Sequence, residues 1–135
     1  MLTTEPKHIF EPNELACGQA VLAMLFDLDV FEVIRELQNE RETTLKEMLD
    51  FVKKRGVEVS KLKGQAKEKE DLPQICILSL ETPHCWHWSL YFKGKFYDPE
   101  YGVLKEFPPS KRRYFFEIND KKKTLALIII HLLSP

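Results

Sequence analysis

The sequence predicts an α+β fold, with helices first, antiparallel strands second, and the helices packed on one side of the sheet. Three observations support this. Helix signals crowd the stretch from Asn13 to Gly56. From Val57 onward the chain alternates, or runs apolar, in strand-length segments. Between two aromatic-rich runs lies Lys93-Gly94, the signal of a tight hairpin.

Each element has a local cause. Residues 1–12 read as an extended arm, because Pro6 and Pro12 break any helix. Asn13 is the expected cap of a first helix running to about Leu28. From Val21 to Leu28 only Asp27 is charged, so this helix lacks a polar face and belongs in the interior. Asp29 with Glu32 has the spacing of a capping box, and Phe31, Ile34 and Leu37 mark a short second helix. Thr44 with Glu47 repeats the signature. Leu45, Met48, Leu49 and Val52 follow at helical spacing, and Gly56 sits where a helix ends. Val57 to Val59 alternates like a strand, and Lys63 to Asp71 reads as an exposed loop with a helical turn. Strands are expected at Ile75 to Leu80, Trp86 to Phe92, Lys95 to Asp98, Tyr114 to Ile118 and Thr124 to Leu132, with a turn at Asn119-Asp120.

Composition narrows the function. The 135 residues are the size of one domain, 1–135, and 44% apolar content with nine Phe supplies a core. A net charge of −1 gives no reason to expect nucleic acid as a partner, and Lys121-Lys122-Lys123 reads as a solvated turn. The N-terminus has no basic and apolar signal regions. The longest apolar run, Leu125 to Leu133, is broken by His131 and is about half the length of a spanning helix. The expectation is a cytoplasmic protein with no membrane span. Its three unevenly spaced cysteines are then free thiols.

Cys17 lies near the start of the buried helix. Unpaired N–H groups at a helix N-terminus favour thiolate over thiol, which suits a nucleophile, although an inert core cysteine is the commoner occupant of such a position. A nucleophile needs a base and a group to orient it. Among four histidines, His8 is in the arm, His84 in a turn and His131 in the last apolar run, whereas His87 begins the hairpin. If Lys93-Gly94 is a two-residue turn, Phe92 pairs with Lys95, Ser89 faces Asp98 and His87 faces Glu100. His87 and Asp98 are then diagonal neighbours on one face, about 7–8 Å apart at the backbone. A three-residue turn would put them on opposite faces.

The run Cys17-Gly18-Gln19-Ala20-Val21-Leu22-Ala23-Met24 resembles the Cys-Gly-x-Ala-x-Leu-x-Met helix of C39-like peptidases, a group of papain-like cysteine peptidases. His87-Trp88-Ser89-Leu90-Tyr91 and Asp98-Pro99-Glu100-Tyr101-Gly102 are similar to that family's His-aromatic strand and Asp-Pro-x-x-Gly segment. The likeness covers about Phe10 to Ile130. It implies a papain-like fold in which Cys17 attacks a carbonyl, His87 moves the proton and Asp98 orients His87. It also implies a peptide or protein substrate, such as a Gly-Gly leader or a ubiquitin-like tail, and no cofactor or metal. One residue departs from the pattern. The family carries an oxyanion-binding Gln six residues before the nucleophile, and here that position is Glu11. An ionised carboxylate would repel an oxyanion. Asn13 is the alternative oxyanion candidate, while Gln19, beyond Gly18 on the helix, is expected to point away.

Other groupings carry less. His84, Cys85 and His87 match no common zinc spacing. Cys76 is expected to pack, and so is Cys85, which could instead lie near the catalytic site if the strand already runs there. Trp86 and Trp88 belong to an aromatic hairpin in which one Trp could wall a substrate groove. Lys111-Arg112-Arg113 reads as a solvated turn or a contact for an acidic partner. The leading expectation is a cysteine peptidase using Cys17, His87 and Asp98. The alternatives are a catalytically inert relative acting as a binding module, which Glu11 favours, and an acyl or peptidyl transferase with the same three residues.

Overall fold

The computed structural model describes residues 5–119 and 132–133. Within them, three helices precede seven strands: α1 (Cys17–Phe26), α2 (Val30–Leu37), α3 (Leu45–Lys54), β1 (Glu58–Val59), β2 (Gly64–Gln65), β3 (Ile75–Glu81), β4 (Trp86–Phe92), β5 (Lys95–Asp98), β6 (Gly102–Leu104) and β7 (Arg112–Asn119). The strand expected from Thr124 to Leu132 falls, but for its last residue, outside the described residues. So do His131, the lysine run and the turn beyond Asn119.

Every residue of α1 is buried, as its lack of a polar face requires. Its start corrects the expectation for Asn13. The helix begins at Cys17, and the residue before it, Ala16, offers no capping oxygen. Asn13 closes a separate turn instead. Its side-chain oxygen accepts the Leu15 N–H at 2.8 Å and its carbonyl accepts the Ala16 N–H at 3.2 Å. The first N–H groups of α1 are therefore left without a side-chain cap. Asp29 caps α2 by accepting the Phe31 N–H. Thr44 and Glu47 form the full capping box of α3, with bonds of 3.1 and 3.0 Å, and Gly56 ends the segment at φ 74°.

The strands pair antiparallel in the order β1-β7-β3-β4-β5-β6, with β2 also on β7. Lys93 and Gly94 have positive φ, 44° and 96°, and form the two-residue turn expected from sequence. Phe92 pairs with Lys95 and Leu90 with Tyr97, so the register is the one that puts His87 and Asp98 on one face. Residue parity then separates two apolar layers. Ile77, Leu90, Phe92, Tyr97 and Phe116 pack with Leu22, Met24 and Leu25 of α1. Cys76, Leu78, Leu80, Tyr91 and Phe96 face the other way, under Leu72, Leu104 and Phe107. Each such buried side chain contributes about 1.5–3 kcal/mol, so α1 is held on β4 by packing and not by the polar contacts at its end.

Two sequence expectations are corrected here. Lys63 to Asp71 carries the expected helical turn, a 3₁₀ turn (Lys69–Asp71), but is not otherwise all loop, because β2 lies within it. Arg112 and Arg113 belong to β7 and not to a turn. Arg112 pairs with Glu81, and the Arg113 guanidinium lies 4.1 Å from the Phe107 ring centre. Among the described residues no helix is long and apolar enough to cross a membrane.

Candidate active site

Asp98 ends β5 with its side chain fully buried. Burial opposes its charge, yet its pKa is lowered, because hydrogen bonds surround the carboxylate. His87 Nε2 lies 3.1 Å from both oxygens. Ser89, its partner across the hairpin, donates to one oxygen at 2.7 Å. The Glu100 and Tyr101 N–H groups donate to the other at 2.9 and 3.0 Å. An anion held this way orients the imidazole and favours its protonated form.

His87 is 4% exposed. Burial alone would lower its pKa, but the bond to Asp98 and the adjacent Cys17 side chain outweigh burial and push it up to about 10. With Nε2 committed to Asp98, the other ring nitrogen is left for the thiol. Cys17 is the first residue of α1, which has no acidic residue in its first turn to offset the partial positive charge there. The Trp88 N–H donates to Cys17 Sγ at 3.4 Å. A helix N-terminus, an imidazolium and a backbone donor thus converge on one sulfur.

The structure separates the oxyanion candidates. Gln19 turns away, as expected, donating to the carbonyls of Asn39 and Arg41 at 2.8 and 2.7 Å. Asn13 is exposed, and its amide donates to Glu40 O at 3.3 Å. Glu11 is half-buried and pinned through its N–H to Pro99 O at 2.9 Å. Its pKa is raised, first by burial and then by Glu100, Asp98 and Glu14, against the opposing pull of His87. Side-chain ligand atoms of Glu11, His87 and Glu100 lie within 4.8 Å of one another. His87 Nε2 of that grouping is already bonded to Asp98.

Two clefts meet at Glu14, Leu15, Cys85 and His87. The narrower, about 310 Å³, contains Cys17 and is walled by Trp86, Trp88, Thr43 and Glu42. The broader, about 720 Å³, is lined by Glu11, Glu100, Tyr101 and His84. Both Trp residues wall the narrow cleft, and Trp88 is fixed by its indole N–H on Thr43 O at 3.2 Å. Cys85 corrects the packing expectation. Strand β4 starts only at Trp86, so Cys85 is exposed on the Thr82–Cys85 turn. Cys76 is buried as expected, and burial raises its thiol pKa. Thr43 and the Trp88 N–H were not marked by sequence, since backbone donors and loop residues carry no pattern. Gly18 was marked. A Cβ there would lie 1.9 Å from Thr43 Oγ1, so only glycine allows that close approach.

No protein-family model matches the chain, and no curated protein matches it in sequence. A solved structure does, at a TM-score of 0.62 and 19% identity, covering 88% of this chain and 96% of that one. It is the crystal structure of a double-glycine motif protease from an AMS/PCAT transporter in complex with the leader peptide. The α+β architecture described above is therefore the fold of C39-like, papain-like peptidases.

Proposed function

We propose that the chain is a cysteine peptidase, cleaving a peptide or isopeptide bond with Cys17 as nucleophile, His87 as acid and base, and Asp98 as the residue that orients His87. The observation that carries this reading is His87 Nε2 3.1 Å from the Asp98 carboxylate, with the Cys17 side chain acting on the same ring. The thiolate attacks the carbonyl carbon, forming the C–S bond as the C=O pair moves to oxygen. When that pair returns, the C–N bond breaks and His87 gives its proton to the leaving amine. Water then attacks the thioester, His87 takes the water's proton, and the sulfur leaves as thiolate. The cleft beside Cys17, walled by Trp86 and Trp88, is where the substrate peptide would lie, with a Gly-Gly leader or a ubiquitin-like tail as the substrate classes we favour.

Iodoacetamide alkylation, located by mass spectrometry, tests the reading. Cys17 is expected to react faster than a free thiol at pH 6, where an ordinary thiol is protonated, and His87→Ala is expected to remove the excess. A Cys17 no faster than a free thiol, with His87→Ala indistinguishable, would leave the second reading, a binding module, which the acidic Glu11 beside His87 favours. Added amine acceptors separate a peptidase from a transferase, because only a transferase yields the amine adduct.

A further inference from the structure

The arm before α1 docks on the turn that carries Asp98. Pro6 is buried, and Ile9 packs against the core layer that contains Leu22 and Tyr97. His8 and Phe10 stand together, their rings edge to face with centres 4.4 Å apart. From there His8 Nε2 reaches to 2.6 Å from Asp98 O. A carbonyl only accepts, so the ring N–H is the donor. On the same arm the Glu11 N–H donates to Pro99 O at 2.9 Å. These two carbonyls belong to consecutive peptide units, and the second unit is bonded at both ends. Its C=O accepts from Glu11, and its N–H, on Glu100, donates to Asp98 Oδ1 at 2.9 Å. Pro99 has no N–H of its own with which to fix the turn.

Resting on the peptidase reading, we infer that His8 is a positioning residue: its ring N–H, with the Glu11 backbone N–H, clamps the Asp98-Pro99 segment so that the Asp98 carboxylate is held against His87. His8 touches neither the sulfur nor the His87 ring in this arrangement and acts only through Asp98. The Asp98 carboxylate is anchored to its own turn by the Glu100 and Tyr101 N–H groups, so its direction follows the turn's peptide planes. A clamp on two successive carbonyls fixes those planes from outside the turn. Hydrogen bonds joined through peptide units and a carboxylate also polarise one another, so the bonds from the arm strengthen the bond from Asp98 to the ring. Both the neutral Nε2–H tautomer and the cation of His8 can donate, so the clamp does not depend on which of the two is present.

Two substitutions separate the donor from the ring. His8→Ala removes the N–H, whereas His8→Gln puts an amide N–H at a comparable reach. A ¹⁵N-histidine NMR titration then reads His87. In His8→Ala its midpoint is expected to fall by about one pH unit, the equivalent of one hydrogen bond. The excess rate of Cys17 alkylation by iodoacetamide is expected to fall with it. His8→Gln is expected to restore both. A clamp that serves stability alone would lower the urea midpoint of His8→Ala and leave the His87 titration at its wild-type position, which overturns the inference. Equal shifts in His8→Ala and His8→Gln overturn it as well, because glutamine still donates. A wild-type Cys17 that alkylates like a free thiol fails the peptidase reading itself and this inference with it.

Discussion

Replacing Asp98 with asparagine keeps the side-chain size and one accepting oxygen but removes the charge that holds His87 protonated. The contact atoms are 3.1 Å apart, which puts the charge centres about 4 Å apart. At an effective dielectric near 20, such a pair is worth about 4 kcal/mol. At about 1.36 kcal/mol per pH unit, that is roughly 3 units of His87 pKa. The ring is expected to titrate near pH 10 in the wild type and near ~7 in Asp98→Asn. At pH 8.5 the protonated fraction then falls by about 30-fold, and hydrolysis of a Gly-Gly peptide should fall with it, because the leaving amine loses its acid. A ¹⁵N-histidine NMR titration reads the ring directly, and the alkaline limb of the pH–rate curve reads its use. A wild-type ring titrating near 6.5, or an Asp98→Asn ring within one unit of wild type, would refute the reasoning.

The same shifts act on folding. His87, with its pKa raised, adds stability that is complete below 6.5 and is lost as pH rises toward 10. Asp98, with its pKa lowered, adds stability that is present above 3.8 and is lost as pH falls through its folded value. Urea midpoints should therefore peak between those limits and decline on the alkaline side, and Asp98→Asn should flatten the decline. Gly18→Ala drives a methyl into Thr43 Oγ1 and should lower the urea midpoint by an amount equivalent to about 1–3 kcal/mol. Thr43→Ala in that background should restore part of the loss, since Met48 Sδ at 3.1 Å still crowds the site. A wild-type midpoint for Gly18→Ala would show that the close approach is not real.

Much of the site was legible because it hangs on local rules. A two-residue turn at Lys93-Gly94 sets the register, and period-two alternation then puts His87, Ser89 and Asp98 on one face. Capping signals placed α2 and α3 for the same reason. What stayed hidden depends on contacts distant in sequence. Asn13 has a capping side chain, but its own Leu15 N–H competes for it, and the helix starts at Cys17 instead. The Trp88 N–H on the sulfur joins residues 71 positions apart and involves no side-chain pattern on the strand side. The arm gave no sign of its docking, which uses Glu11 N–H on Pro99 O and His8 Nε2, 2.6 Å from Asp98 O. Backbone carbonyls at a strand end look alike in any sequence.

The three cysteines differ in a way that has a practical consequence. Cys76 is fully buried, with burial opposing its thiolate, so an alkylating reagent reaches it only when the chain opens. Cys85 is exposed in the folded chain. Cys17 owes its proposed reactivity to contacts that exist only when α1 is docked on β4. Unfolding should thus accelerate labelling at one thiol, slow it at another, and leave the third as a reference. One reagent and one mass spectrum would report folding as a ratio with opposite-signed arms, a calibrated thermometer carried by the native chain without any added dye.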